Sequence, residues 1–215
     1  MKYAIIGAGG TGGCLGFFLK KAGKDVTLIA RGKHLEAIRK NGLTIQKLWD
    51  ESRETLPVKA CTAEEYKEIP DVILVCVKGY SMDETVPTIK KIAGKETVVI
   101  PILNIYGTGG RLQKNLPELT VTDGCIYVSA NIMEPGVILQ HGKILRVVFG
   151  ARKPEEETEK MREVAKDMVT DDLEVILSEN IRRDAMVKFS YVSPIGAAGL
   201  YCNAVAADFQ REGEQ

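Results

Sequence analysis

Short apolar runs alternate with stretches of helical spacing through the first half of this 215-residue chain. "YAIIGAG" predicts a buried strand stopped by glycine. "TGGCLGFFLKKAG" puts Leu15, Phe18 and Leu19 on helical spacing and offers Gly23 as a C-terminal stop. "DVTLIA" is the next strand, and "KHLEAIRKNG" a short helix ended by Asn41-Gly42. "LTIQKL" and "LPVKA" predict paired strands, an inserted hairpin. "DVILVCV" is apolar throughout, as a central parallel strand must be when both its faces are covered. "SMDETVPTIKKIAG" predicts a helix and "ETVVIPIL" another strand. This alternation over residues 1 to about 116 predicts an α/β doubly wound parallel sheet.

The pattern then changes. "TVTDGCIYVSANIM", "GVILQHG" and "ILRVVFG" are strands without intervening helices, which predicts antiparallel additions at a sheet edge. "KPEEETEKMREVAKDMV" is an amphipathic acidic helix and "LEVILS" a last strand. The tract from "NIRRDAMVKF" onward is helical and rich in small residues, with Pro194 as an interruption. The expected organisation is one nucleotide-binding domain over residues 1–178 and the beginning of an all-helical domain over 179–215. Few apolar helices remain to close a second core, and the chain ends in a polar run, so it reads as truncated or shortened. An unfinished helical unit exposes apolar surface, which favours a homodimer.

Composition narrows the class. Lys+Arg and Asp+Glu balance at 29 each, which argues against a general nucleic-acid or membrane binder. The five cysteines are scattered without a CxxC pair, favouring reduced thiols in a cytoplasmic protein over disulfides or zinc. No secretory leader is expected from "MKYAIIGAGG", and no apolar stretch reaches the roughly 18 residues of a membrane span.

Gly7, Gly9 and Gly12 spell G-x-G-x-x-G between a strand and a helix. In that context the first glycine makes the turn, the second admits a pyrophosphate, and the third seats the helix against the sheet. Gly10 and Thr11 complete the candidate phosphate turn at the helix N-terminus. Chains that bind NAD usually carry Asp or Glu at the end of the second strand; here Arg31 stands there, with Lys33 and His34 beside it to add positive potential. A guanidinium can pair with a 2′-phosphate in two bonds, so the expected cofactor is NADP(H).

The glycine turn, "LIARGKHL", "VCVKGY", "LNIYGTGG" and "RRDAMVKF", in this order, resemble the ketopantoate reductase (2-dehydropantoate 2-reductase) family over nearly the whole chain. The resemblance implies a Rossmann-type domain, a helical domain, and NADPH-dependent reduction of 2-dehydropantoate to pantoate towards coenzyme A. It implies that Lys78 and Asn104 lie at the cofactor, that Asn104 also serves the active site, and that Lys188 is catalytic. Met186 stands where the family commonly has an aromatic residue, and Val192 and Gly196 where asparagines are often found. The family's substrate-binding serine and acid lie in a part with no counterpart here.

The chemistry of these residues is consistent with that role. Hydride addition to a ketone charges its oxygen, which a lysine ammonium can stabilise and protonate. Lys78 and Asn104 follow strands whose C-terminal ends face the ligand crevice. By themselves, Lys188 also reads as an exposed helix lysine and Asn104 as a turn former before Gly107. His141 reads as structural and Cys14 as a small packing residue; no cluster suggests a metal site. Three functions stay open on the sequence: the ketopantoate reductase, a reductase of another 2-keto acid, and an NADP(H)-binding sensor without catalysis.

Overall fold

A computed structural model describes residues 1–204 of the chain; the final polar run lies outside them from residue 205. The first half follows the predicted alternation. Lys2–Ile6 (β1), Gly10–Lys21 (α1), Asp25–Ile29 (β2) and Gly32–Asn41 (α2) come first. Leu43–Lys47 (β3), Arg53–Leu56 (β4), Lys59–Cys61 (β5) and Val72–Val75 (β6) follow. Two single 3-10 turns, Gly79–Ser81 and Asp83–Thr85, lead into Val86–Ile92 (α3), so the predicted helix is regular only in its second half. Val98–Pro101 (β7), Thr108–Asn115 (α4) and Thr120–Val121 (β8) complete this half.

Six of these strands form one sheet in the order β5-β2-β1-β6-β7-β8, with every neighbouring pair parallel. The chain runs outward one way from β1 through β2 to β5, then restarts on the other side at β6. That reversal leaves a crevice beyond the C-terminal ends of β1 and β6, where ligands of such sheets bind. Side-chain alternation along β1 feeds two cores: Tyr3 and Ile5 pack with Leu15, Phe17 and Leu28, while Ala4 and Ile6 pack with Ile89, Ile92 and Leu112. Helices cover both faces, as the unbroken apolar sequence of β6 requires.

The predicted pairing of "LTIQKL" with "LPVKA" is corrected. β3 pairs antiparallel with β4, and β5 joins the main sheet beside β2. The reversal is already made at Asp50–Ser52, where the Asp50 Oδ1 accepts from the Ser52 amide and hydroxyl at 3.0 and 2.6 Å. Arg53 therefore starts the return strand at once, and Pro57, which lacks an N–H, separates it from β5.

The later strands are Asp123–Tyr127 (β9), Ala130–Glu134 (β10), Val137–Gln140 (β11), Arg146–Gly150 (β12) and Glu174–Leu177 (β13). They are not added to the edge of the six-stranded sheet. β10 and β11 join β3 and β4 in a second sheet, and β9, β12 and β13 form a third. The second sheet packs on the outer side of α1, which explains why that helix is buried over most of its length.

Glu159–Met168 (α5) is capped by the Thr158 hydroxyl, which accepts from the Met161 amide at 3.2 Å. Ile181–Cys202 (α6) is one 22-residue helix that runs through Pro194 instead of stopping there. Ser190 and Pro194 are both exposed, so the Ser190 carbonyl that loses its intrahelical donor can turn to water. α6 begins at the Asn180 cap and packs against β9 and β12, which brings its second turn to the end of the main sheet. Among the described residues, no helix is long and apolar enough to cross a membrane.

Candidate active site

Four of the sequence-nominated regions lie just past the C-terminal ends of neighbouring strands: the glycine turn after β1, Arg31 after β2, Lys78 after β6 and Asn104 after β7. Gly7 has φ +97°, a conformation that permits the sharp exit from β1 and that side chains rarely adopt. An added Cβ on Gly12 would collide with the Gly7 carbonyl oxygen, so the third glycine lets α1 close onto the strand end. An added Cβ on Gly9 would meet nothing within 4 Å. That open space lies at the N-terminus of α1, which has no side-chain cap and no acid in its first turn, leaving its amides available to an anion. The residues present therefore fit a dinucleotide pyrophosphate. Gly10 also seats the second sheet, because its backbone lies so close to Ala130 of β10 that a side chain would collide there. Thr11 is half-buried in the same turn.

Arg31 is exposed at the N-terminus of α2, and no ion pair or side-chain hydrogen bond engages it among the described residues. His34 does not extend the positive field as expected. Its Nδ1 accepts from the Gly136 amide at 3.0 Å, which leaves the proton on Nε2, 2.8 Å from the Ala8 carbonyl oxygen it faces. The neutral ring ties the glycine turn to α2 and to the β10–β11 hairpin. Burial holds its pKa below the ordinary histidine value, opposed by the bond to Ala8. Below about pH 6.5 the unfolded chain takes up a proton that the fold resists, so this group lowers stability as pH falls towards its depressed folded value. We expect the denaturation midpoint of the native chain to fall more steeply than that of His34→Gln between about pH 7 and pH 5. Identical slopes would refute the assignment.

At the other side of the crevice α6 delivers Lys188. It is not a solvated helix lysine: only 8% of it is exposed. Its Nζ donates to Asn104 Oδ1 at 2.7 Å and to the Ile126 carbonyl oxygen. Among the described residues no carboxylate pairs with it. Burial pushes this ammonium below the ordinary lysine range. Leu103, Asn104, Ile105, Phe189 and Val192 line a small pocket with Lys188. Asn104 thus acts as a partner of the lysine and not merely as a turn residue. Lys78 is exposed at the start of the Gly79–Ser81 turn, facing no side-chain partner among the described residues.

Sequence reasoning misses four contributors: His34 as a strut, the Ile126 carbonyl, the Tyr127 ring near Lys188, and Asp123. The last is buried and its Oδ1 accepts from the Gly109 amide at 2.7 Å, fixing the start of α4 behind Asn104. Only Asp123 leaves a trace in sequence, as an acid opening an otherwise apolar strand. His141 is exposed, and its Nε2 lies 2.5 Å from Asn131 Oδ1. Cys14 is buried, which pushes its thiol up to about 12, so it is a packing residue and no nucleophile.

A sheet of this order, with a glycine turn at its switch point, defines a dinucleotide-binding protein of the Rossmann class. The particular family follows from comparison: a profile of ketopantoate reductase PanE/ApbA matches residues 3–154, and the chain belongs to that family of oxidoreductases. It is 33% identical over 202 residues to a 2-dehydropantoate 2-reductase of Pyrococcus horikoshii, covering 92% of this chain and 64% of that one. The crystal structure of a 2-dehydropantoate 2-reductase from Porphyromonas gingivalis superposes with a TM-score of 0.85 at 30% identity, over 99% of this chain and 76% of that one. A D-mandelate dehydrogenase solved with NADH shares the fold, with a TM-score of 0.77 at 23% identity over 86% of this chain and 59% of that one. The chain spans 62 to 64% of the length of two curated relatives it matches.

Proposed function

We propose that this chain is an NADPH-dependent reductase of a small 2-keto acid, with 2-dehydropantoate as substrate and pantoate as product. The observation that carries the reading is Lys188, a buried ammonium held by two neutral oxygens beside the strand ends where the cofactor is expected. Such a charge is costly to bury without an anion, and a site that awaits negative charge explains its retention.

Gly7, Gly9, Gly10, Thr11 and Gly12 would hold the pyrophosphate, Arg31 the 2′-phosphate, and Lys78 and Asn104 the nicotinamide half. Bound NADPH supplies the hydride. Two of the three protons of Lys188 are committed to Asn104 and Ile126, which orients the ammonium and leaves the third for the substrate. Lys188 donates this hydrogen bond to the ketone oxygen and transfers the proton as negative charge builds there. The neutral amine is then reprotonated from solvent. Asn104 holds the lysine without adding a charge that would compete with the substrate carboxylate.

The reading divides the chain at residue 178, with 179–215 opening a helical domain that supplies Lys188. Val187, Tyr191, Leu200 and Tyr201 are exposed on α6, which favours pairing of two copies along this helix. NADPH oxidation followed at the nicotinamide absorbance tests the function. Turnover with 2-dehydropantoate exceeding that with other 2-keto acids supports it; preference for another keto acid moves the substrate; tight NADPH binding without turnover on any keto acid refutes the enzyme.

A further inference from the structure

Two neutral oxygens hold the Lys188 ammonium, and among the described residues no carboxylate joins them. We propose that Tyr127 is a positioning residue for Lys188, its ring face holding the ammonium in place beside the Ile126 carbonyl and Asn104. The proposal rests on the reading of Lys188 as proton donor for its catalytic consequence, but not for the contact itself.

The geometry begins with β9. Alternation along that strand turns Cys125 and Tyr127 towards α6, where Cys125 packs with Ile181 and Val148, while Ile126 enters the main core. Lys188 descends from α6 onto this face. Its Nζ lies 5.3 Å from the Tyr127 ring centroid, within the range of a cation–π contact. Consecutive residues of one strand thus present a carbonyl oxygen and an aromatic ring to the same nitrogen.

The charged and titratable groups around Lys188 leave the ring as its remaining electrostatic support. On β9 the Cys125 thiol is buried and its pKa is raised by that burial, so it stays neutral and offers no anion. On α6 itself Asp184 is one turn away, but it accepts from the Ser178 hydroxyl at 2.7 Å and from Arg183 Nε at 3.2 Å. On β12 Arg146 stands opposite Tyr127 in register and places its guanidinium carbon 5.8 Å from the same ring centroid. That cation is matched by Glu174, which accepts from its Nε at 2.6 Å. Asn104, from the loop after β7, is neutral. A ring with a negative face is therefore what the second cation, Lys188, has in place of a carboxylate. This suits a proton donor: a carboxylate would bind the proton too firmly and repel the substrate's charge, whereas a ring steadies the ammonium less firmly and carries no net charge.

The test reads Lys188 directly in the full 215-residue chain. Amine-directed labelling over a pH series, quantified on the Lys188 peptide by mass spectrometry, gives its protonation midpoint. Tyr127→Leu and Tyr127→Met remove the ring while nearly keeping its bulk, and either alone suffices if the other does not fold. The midpoint is expected to fall by about half to one and a half pH units in both, and to return most of the way in Tyr127→Phe. The alkaline limb of kcat should move down with it. An unchanged midpoint in the Leu and Met variants, or a Phe variant that behaves like them, overturns the proposal. If Lys188→Ala leaves turnover intact, the proton-donor reading fails, while the labelling midpoints still decide the role of the ring.

Discussion

Lys188→Ala is expected to lower kcat for 2-dehydropantoate reduction by about 10²- to 10⁴-fold, the usual worth of a positioned acid, while NADPH affinity changes by no more than about twofold. The reasoning is local. Lys188 reaches the crevice from α6, whereas the glycine turn is built from β1 and α1, so the variant leaves that turn untouched. On the proposed mechanism it removes the proton for the developing alkoxide and the ammonium that stabilises it. Lys188→Arg should recover little of this, because a guanidinium keeps the charge but does not give up its proton near neutral pH. Steady-state kinetics with a parallel NADPH titration checks both halves. A variant within tenfold of the native kcat would remove Lys188 from the chemistry.

Arg31→Glu should weaken NADPH binding by about 100-fold or more, with NADH affinity changed only a few-fold. A hydrogen bond to a charged group contributes about 1.5–3 kcal/mol, and a carboxylate in its place adds repulsion of the 2′-phosphate. Because Arg31 is exposed and unpaired among the described residues, the substitution breaks no structural contact that would blur the comparison. The D-mandelate dehydrogenase solved with NADH shows that this fold also serves the unphosphorylated cofactor. The proposed reading gives that choice to Arg31, and fluorescence titration of both nucleotides against both proteins tests it. Equal losses for NADPH and NADH would show that the arginine senses no 2′-phosphate.

How much of this is legible in the sequence depends on how local each signal is. The glycine turn is legible because all its parts lie within six residues and each glycine answers one local demand: a left-handed turn at Gly7, open space at Gly9, contact at Gly12. The parallel sheet is legible because β6 and β7 are apolar on both faces. Sequence alone misleads on the partner of β3, because a tight Asp50–Ser52 reversal outweighs the more apolar "LPVKA" run. The later strands are recognisable as strands, but which sheet they join is decided by α1 and β3, far away in sequence. Lys188 is legible only through family resemblance. Its burial follows from α6 packing on β9, and its partners come from residues 62 and 84 positions away. His34 looks like a positive charge in sequence because its two backbone partners, at Ala8 and Gly136, leave no mark beside it in the chain.

The proposed mechanism has at its centre a buried lysine whose proton the reaction consumes. The pH dependence of kcat for NADPH-driven 2-dehydropantoate reduction tests this most directly. A donor must be protonated, and burial depresses Lys188. The rate should therefore fall at alkaline pH with a midpoint below the ordinary lysine value of about 10.4. A rate that holds level through that value would contradict it.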